Sequence, residues 1–375
     1  MRLSATEQNG RAATYGYDND YRLTSETITG EPSGRNGAVN YTYDVVGNRT
    51  QQSSILPGIT SGTFSYDAND RITSDVYDAN GNTTSSGGLS YTYDFENRFA
   101  GSGGLSIVYD ADGNRVSENI AGTTTKYLVD TLNPTGLPQV LDEVVNGSVT
   151  RTYAYGLQRI SQNQLISGVW TPSFYGYDGH DNVRFLTSMA AAVTDTYQYD
   201  AFGNQLASTG TTPNSYFYSG ERLDASLSFY DLRARYYQQA TGRFWARDPI
   251  EGRLCCGLSW NPYIYVVDNP VNTSDPAGLQ AILEYKTLRK IIAGTGLQAH
   301  HLIEKRFLYI ADLAACELAI ALTPAEHQVY TNAWRAAIPY GQGTACATAA
   351  EVLSTAQALY SDVIFARILA VLAAD

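Results

Sequence analysis

Tyr41-Thr42-Tyr43-Asp44, followed after two residues by Gly47-Asn48-Arg49, decides the fold of most of this chain because it recurs. Tyr15-Gly16-Tyr17-Asp18 is an earlier copy, and Tyr66-Asp67 with Asn69-Asp70-Arg71, Tyr77-Asp78 with Asn80-Gly81-Asn82, and Tyr93-Asp94 with Asn97-Arg98 come after it. Tyr109-Asp110 with Asp112-Gly113-Asn114-Arg115, Tyr177-Asp178, and Tyr199-Asp200 with Gly203-Asn204 complete the set. Alternating Tyr and Thr make a strand with one packed face. An Asp followed by Asn-Gly, Asp-Gly or Gly-Asn supplies a side-chain acceptor and residues that tolerate positive φ, so the chain turns tightly and returns. Each copy therefore reads as a β-hairpin. A lone hairpin cannot bury its face, so successive units are expected to pair edge to edge into a long sheet. The spacing between the Asp residues is uneven, which fits the equal blades of a propeller poorly.

Composition agrees. The 375 residues include 33 Gly and 29 Tyr but only 2 Met, which favours short strands and turns over a helical enzyme. A net charge of −12 argues against a whole chain that coats nucleic acid. The most apolar stretch, Val363 to Ala374, is too short to cross a bilayer and is interrupted by Arg367, so no membrane span is expected. The N-terminus has no basic segment leading into an apolar one, and no cleavable secretory signal is expected there. Cys255, Cys256, Cys316 and Cys346 form neither a metal knuckle nor a disulfide framework and read as reduced.

The Tyr-Asp repeats resemble those of the Rhs/YD-repeat polymorphic toxins. The segments Tyr230-Asp231-Leu232-Arg233-Ala234-Arg235-Tyr236-Tyr237, Thr241-Gly242-Arg243-Phe244, Arg247-Asp248-Pro249-Ile250, Asn261-Pro262-Tyr263-Ile264-Tyr265 and Asp275-Pro276-Ala277-Gly278-Leu279 resemble that family's repeat-associated core. The resemblance implies an all-β shell of hairpin repeats in a spiralling sheet over residues 1–229 and a core over 230–279. A C-terminal toxin domain then follows over 280–375. It also implies that the shell cuts itself between Leu279 and Gln280 in the manner of an aspartic protease, with Asp248 and Asp275 as the dyad and Arg247 as a supporting cation. Two close carboxylates cannot both ionise, so one polarises a carbonyl while the other activates water. The plain alternative is that both Asp-Pro pairs merely start turns. Arg253-Leu254-Cys255-Cys256-Gly257-Leu258 stands where the family carries a Gly-rich stretch, which keeps Asp268 open as a substitute in the dyad.

Past Leu279 the composition changes: Ala and Leu dominate, and Ala311 to Ala321 and Ala349 to Leu372 take on helical periods. Leu297 to Ile303, carrying His300 and His301, reads as a strand. Thr323 and Glu326 make a capping box with Pro324 at the first helical position, which puts His327 in the first turns of a helix. This region resembles the HNH/endonuclease VII superfamily of toxin nucleases of the Ala-His-His type, which implies a small α+β, mostly helical domain of the ββα-metal kind. By that resemblance His301 is the general base, while His300 and His327 hold a divalent metal ion such as Mg, Mn or Zn, with Glu304 as a further carboxylate. Asn332 would orient the base, and Lys305 and Arg306 would hold flanking phosphates. Taken alone, a His-His pair is more often structural than catalytic. Residues 280–375 carry 7 Lys and Arg against 8 Asp and Glu, a weaker basic character than nucleases usually have. Trp334 and Tyr330 read as core, and His180, in a repeat turn, is assigned no function.

The resulting expectation is a toxin of interbacterial competition. It is made in the bacterial cytoplasm, delivered by secretion machinery without a cleavable signal peptide, neutralised at home by a cognate immunity protein, and active on nucleic acid, DNA before RNA, in the target-cell cytoplasm. The alternative is a carbohydrate-binding, adhesion or carrier module whose C-terminal domain is inactive or acts differently.

Overall fold

The computed structural model describes residues 2–133, 135, 137–249, 257–279, 283–284, 298–303, 305–307, 318–322, 324–340 and 347–360. Each repeat folds around its aspartate. In the unit quoted first, Asp44 Oδ1 accepts the backbone N–H groups of Val46 and Asn48 at 3.0 and 2.9 Å, and Oδ2 accepts the Asn48 side-chain amide at 2.9 Å. Asp67, Asp94, Asp110, Asp178 and Asp200 repeat this pattern. The third residue after the aspartate has positive φ throughout: Gly47 at 87°, Gly113 at 84° and Gly203 at 90°, with Asp70, Asn97 and Asp181 in the same slot. Asn and Asp are the side chains that tolerate this region, which is why the turn survives without glycine.

The tyrosine before the aspartate sits on a β-bulge in most units, as the register shifts at Tyr17, Tyr43, Tyr77, Tyr109, Tyr177 and Tyr199 show, and Tyr155 repeats the bulge without an aspartate after it. Bulges sharpen strand twist, and a regular series of them curls a long sheet. The hydroxyl then reaches back to the preceding hairpin. Tyr43 donates to Leu23 O at 2.7 Å, Tyr109 to Phe99 O at 2.8 Å, Tyr177 to Arg159 O at 2.7 Å and Tyr199 to Val183 O at 2.9 Å. Tyrosine is thus both core and tether, a use phenylalanine could not serve.

Six strands from Ser4–Thr6 to Gly62–Thr63 form one antiparallel meander, and fourteen from Val76–Tyr77 to Gln205–Thr209 form a second. Among the described residues the two do not close into a hydrogen-bonded barrel. Their far ends meet through side chains: Arg11 Nη2 donates to Tyr199 O at 3.3 Å, the Ala201 amide donates to Glu26 Oε2 at 2.7 Å, and Arg184 pairs with Glu7 at 2.8 Å. Ala13, Leu23, Ile28, Val39 and Tyr41 pack there against Ala201, Phe202 and Leu206. At this seam Arg49 lies fully buried, its guanidinium 3.9 Å from the Phe202 ring centre and 4.5 Å from that of Tyr41.

Inside the curl lies a four-stranded sheet, Arg222–Asp224, Phe229–Leu232, Arg235–Gln238 and Arg243–Phe244, so core pairing starts a few residues before Tyr230. Tyr230, Tyr237, Phe244 and Tyr265 pack against Val183, Leu186, Tyr197 and Tyr199 of the large sheet. Polar contacts reach the opposite wall, where Arg243 and Asn261 both donate to Asn48 Oδ1, at 2.8 and 2.6 Å.

Beyond Leu279, Leu283–Glu284, Leu318–Leu322 and Gln298–His301 form a three-stranded sheet with Leu318–Leu322 in the middle. The helical period expected up to Ala321 therefore gives way to a strand from Leu318; residues 311–317 lie outside the described residues. A short apolar run fits either state, and pairing with Gln298–His301 decides for the strand. Among the described residues two helices follow, α1 (Pro324–Ala337) and α2 (Ala349–Leu359), the second opened by a capping box between Thr348 and Glu351. The first begins at Pro324 as expected; Thr323 lies outside the described residues. Trp334, Phe307, Leu302, Val352 and Tyr360 make the core, with Tyr330 stacked on Tyr360. Among the described residues no helix is long and apolar enough to cross a membrane.

Candidate cleavage site and nuclease residues

Three successive residues of the core grip three successive carbonyls of the Asp-Pro-Ala-Gly-Leu segment. Arg233 Nη1 donates to Pro276 O, the Ala234 amide to Ala277 O at 3.3 Å, and Arg235 Nε to Gly278 O at 2.6 Å. The segment also braces itself, since the Leu279 amide donates to Asp275 Oδ1 at 3.2 Å and the Gly278 amide to Asp275 O at 3.3 Å. Gly278 has φ of 65°, and a Cβ there would fall 2.5 Å from Leu232 O, so only glycine fits the strap.

Asp248 and Asp275, the two aspartates expected to act together, are brought to one cation. Arg235 Nη2 lies 2.8 Å from Asp248 Oδ2 and 3.9 Å from Asp275 Oδ2, and the Arg235 and Asp275 side chains are both 3% exposed. Its remaining reach is also used: Nη1 donates to Pro262 O at 3.1 Å, and the guanidinium lies 3.5 Å from the Phe244 ring centre. Arg247, the cation expected beside the dyad, is exposed. Arg235 was missed in the sequence, although an arginine in a strand of Tyr and Leu signals a buried cation that needs a carboxylate. Leu279 is half-buried, and Gln280 lies outside the described residues.

Asp268, the substitute, belongs to another cluster. It lies under Gly47 at the seam with Arg49, and burial pushes its carboxyl up to about 7 against the pull of the Arg49 charge. Val266, Val267 and Asp268 all have positive φ, which is costly for β-branched valine and marks a segment held by its surroundings. His180 is half-buried in its repeat turn beside Tyr218, and its backbone N–H donates to Asp178 Oδ1.

In the C-terminal region His300 pairs across the sheet with Ile320 and His301 with Ala319. Their side chains, that of Lys305, and the whole of Glu304 lie outside the described residues. His327 is in the first turns of α1, its Nδ1 3.4 Å from Thr331 Oγ1. Asn332 is exposed and accepts the Gln328 side-chain amide at 2.7 Å. Arg306 donates to Trp334 O at 3.2 Å and Ile338 O at 2.6 Å, at the end of α1. Imidazoles suit a divalent transition metal, so the residue types at 300 and 327 fit such an ion. Among the described residues no three His, Cys, Asp or Glu come together.

No family model matches the chain. It is 31% identical over 256 residues to the tRNA nuclease WapA of Bacillus subtilis and 30% identical over 258 residues to the tRNA3(Ser)-specific nuclease WapA of Bacillus spizizenii. Each match covers 64% of this chain and 11% of the relative, so the chain spans about a tenth of the length of these curated relatives. Matches this long necessarily take in the repeats. Among solved structures, the fold is similar to the TcdB2-TccC3-Cdc42 crystal structure, with a TM-score of 0.56 at 18% identity, over 77% of this chain and 16% of that one. A Photorhabdus luminescens Tc holotoxin pore gives 0.58 at 19%, over 72% and 15%. The likenesses in sequence and in fold together support an Rhs/YD-repeat toxin family for this chain.

Proposed function

We propose that residues 1–279 are the end of a toxin-carrying shell that cuts its own chain between Leu279 and Gln280, and that residues 280–375 are a nuclease freed by the cut. One observation carries the first half: Asp248 and Asp275 share the Arg235 guanidinium, and Asp275 also binds the Leu279 amide. In this reading one carboxylate takes a proton from water, and the oxygen adds to the Leu279 carbonyl carbon. The protonated partner donates to that carbonyl, and the C–N bond then breaks with a proton passing to the Gln280 nitrogen. Asp268 has no part, since it faces Arg49 at the seam.

The nuclease half is supported by the strand, strand, helix order of Gln298–His301, Leu318–Leu322 and α1, and by relatives named as tRNA nucleases. His301 is proposed as base, with Asn332 to orient it, and His300, His327 and Glu304 as metal holders; the bound ion supplies charge stabilisation at the phosphate. RNA, and tRNA first, replaces DNA as the proposed substrate. Two relatives, each 30% identical, are named for different tRNAs, tRNA3(Ser) and tRNA(Glu), which favours a substrate set outside the shared repeats. An immunity protein, a secretion route and action inside a target cell belong to the same proposal.

The test is made on the full chain. Intact mass after purification is expected to give two fragments parted after Leu279, and Asp275→Asn a single whole chain. Incubated with tRNA and with plasmid, the sample is expected to degrade tRNA, to stop on chelation, and to lose activity in His301→Ala. A wild-type chain that stays whole overturns the cut. One that leaves both polymers intact with each of Mg, Mn and Zn overturns the nuclease.

A further inference from the structure

We propose that one rim of the large sheet is a docking edge that receives the same rim of a second copy of this chain. In an antiparallel meander successive turns fall at alternate ends of the strands. The aspartate turns that begin at Asp94, Asp110, Asp178 and Asp200 therefore lie on one rim of the curl, and the turns through Gly122, Gly147, Gly168 and Met189 lie on the other. That second rim carries no charged residue over four neighbouring hairpins, whose turns read Ile120-Ala121-Gly122-Thr123, Val145-Asn146-Gly147-Ser148, Ile166-Ser167-Gly168-Val169 and Thr187-Ser188-Met189-Ala190-Ala191-Ala192-Val193. Tight turns that need positive φ favour Asn or Asp there. Ala121, Ser167 and Ala191 take that place instead, at 49°, 49° and 57°.

Apolar side chains stand out at these tips. In the hairpin of Arg159–Ile166 and Val169–Tyr177 the last pairs are Leu165 with Trp170 and Ile166 with Val169, and all four residues are exposed, Val169 to 65%. Successive residues of a strand point to opposite faces, so apolar surface lies on both sides of the tip and the contact it suits is end-on. The next hairpin adds Met189, 78% exposed, and Val193, and the two hairpins before it add Ile120 and Val149. Together these side chains leave on the order of 800 Å² open to solvent, about one partner's share of a standard interface.

The charge pattern selects the occupant. A bilayer holds a peripheral protein by apolar insertion together with Lys or Arg at the headgroups, and these turns offer neither cation. An unlike protein is selected by complementary charge around the contact, which is missing from the same turns. A second copy brings its own net charge of −12, and an uncharged rim is where two such chains approach with least repulsion. About a two-fold axis the rim meets itself, and matching apolar tips need no opposite sign.

Sedimentation velocity of the full chain over about 1 to 100 μM is expected to show a reversible rise to twice the mass of the dissociated species. The comparison is with that species, so cutting after Leu279 neither mimics nor hides the result. Val169→Glu sets like charges against each other at the join and is expected to weaken association by at least about tenfold. Phe95→Glu, in an aspartate turn of the opposite rim at a residue 92% exposed, is expected to leave it unchanged. Far-ultraviolet circular dichroism checks the fold, and Met189→Lys takes the place of Val169→Glu if that variant does not fold. Hydrogen exchange of the wild type needs no variant: at residues 166–169 and 187–193 it is expected to slow as concentration rises. A wild type that stays single at every concentration overturns the proposal, as does association that the folded rim variant leaves intact or that leaves exchange at these tips unaltered. A single species whose tips bind phosphatidylcholine or phosphatidylserine vesicles also overturns it and gives the rim to a bilayer.

Discussion

Glu26 accepts the backbone N–H of Ala201 at 2.7 Å across the seam where the first strands meet the last strands of the large sheet. The carboxyl is buried, and burial, reinforced by neighbouring Asp200, pushes it up to about 8. Asp200 itself is pushed up to about 6, also by burial. Arg11 is the cation on the same side, while Tyr15 and Tyr41 face the pair from the first sheet. The seam thus holds two carboxyls that fold more easily protonated than ionised.

The sign of the pH effect follows. Between the unfolded carboxylate range near 4 and about 8, the folded chain keeps a proton on Glu26 that the unfolded chain releases, so stability falls as pH rises through this window. Thermal unfolding of the full chain is expected to show a higher Tm at pH 5 than at pH 8. Glu26→Gln keeps an acceptor for Ala201 and cannot ionise, so it flattens this slope and raises Tm at pH 8 by several degrees, for a gain on the order of 2 kcal/mol. An unchanged slope in Glu26→Gln would assign the pH dependence elsewhere.

The tyrosine tethers can be tested in the same assay. Tyr43→Phe, Tyr109→Phe and Tyr177→Phe each keep the packed ring and leave a carbonyl of the preceding hairpin without its donor. Each is expected to cost about 1 kcal/mol in urea unfolding, and because the three lie in separate hairpins the triple variant is expected to cost about 3 kcal/mol. Effects near zero would reduce the hydroxyls to passengers on a packing role.

Much of this architecture was legible. The Tyr-Asp spacing determines the hairpin, since one Asp side chain and one positive-φ residue suffice for the turn, and both are local. Local information also placed Gln298–His301 on a strand and started α1 at Pro324. What could not be read depends on distant partners. Nothing near Arg235 says that it meets Asp248 and Asp275, which are 13 and 40 residues away, and Arg247 entered only through the family resemblance. The strand Leu318–Leu322 was likewise hidden, because a run of Leu and Ala fits a helix until its pairing partner is known.

Gly278→Ala addresses the strap without touching a carboxylate. The added Cβ would fall 2.5 Å from Leu232 O and 3.0 Å from the Arg235 amide nitrogen, and φ of 65° is itself unfavourable for alanine. The strap is expected to lift from the core, slowing cutting at least tenfold by mass spectrometry, while the repeat shell, held by its own hairpins, keeps its strand signal in far-ultraviolet circular dichroism. Unimpaired cutting would mean that the Asp-Pro-Ala-Gly-Leu segment need not be seated on residues 233–235.

Arg306 separates a structural role from a phosphate-binding one. Its Nη2 donates to Trp334 O, which also accepts the Ile338 amide at 2.9 Å, and to Ile338 O just past the end of α1, and its guanidinium lies 4.4 Å from the Phe307 ring centre. Arg306→Gln removes a cation from carbonyls at the negative end of the helix and is expected to destabilise the unit around Trp334 by about 1 to 2 kcal/mol, read as faster hydrogen exchange in α1 and α2. The salt dependence of tRNA binding by the full chain decides between the roles. If the guanidinium neutralises a phosphate, Arg306→Gln makes the dependence on salt shallower; if it serves only the helix end, the dependence is unaltered. The two carbonyl bonds predict the second outcome.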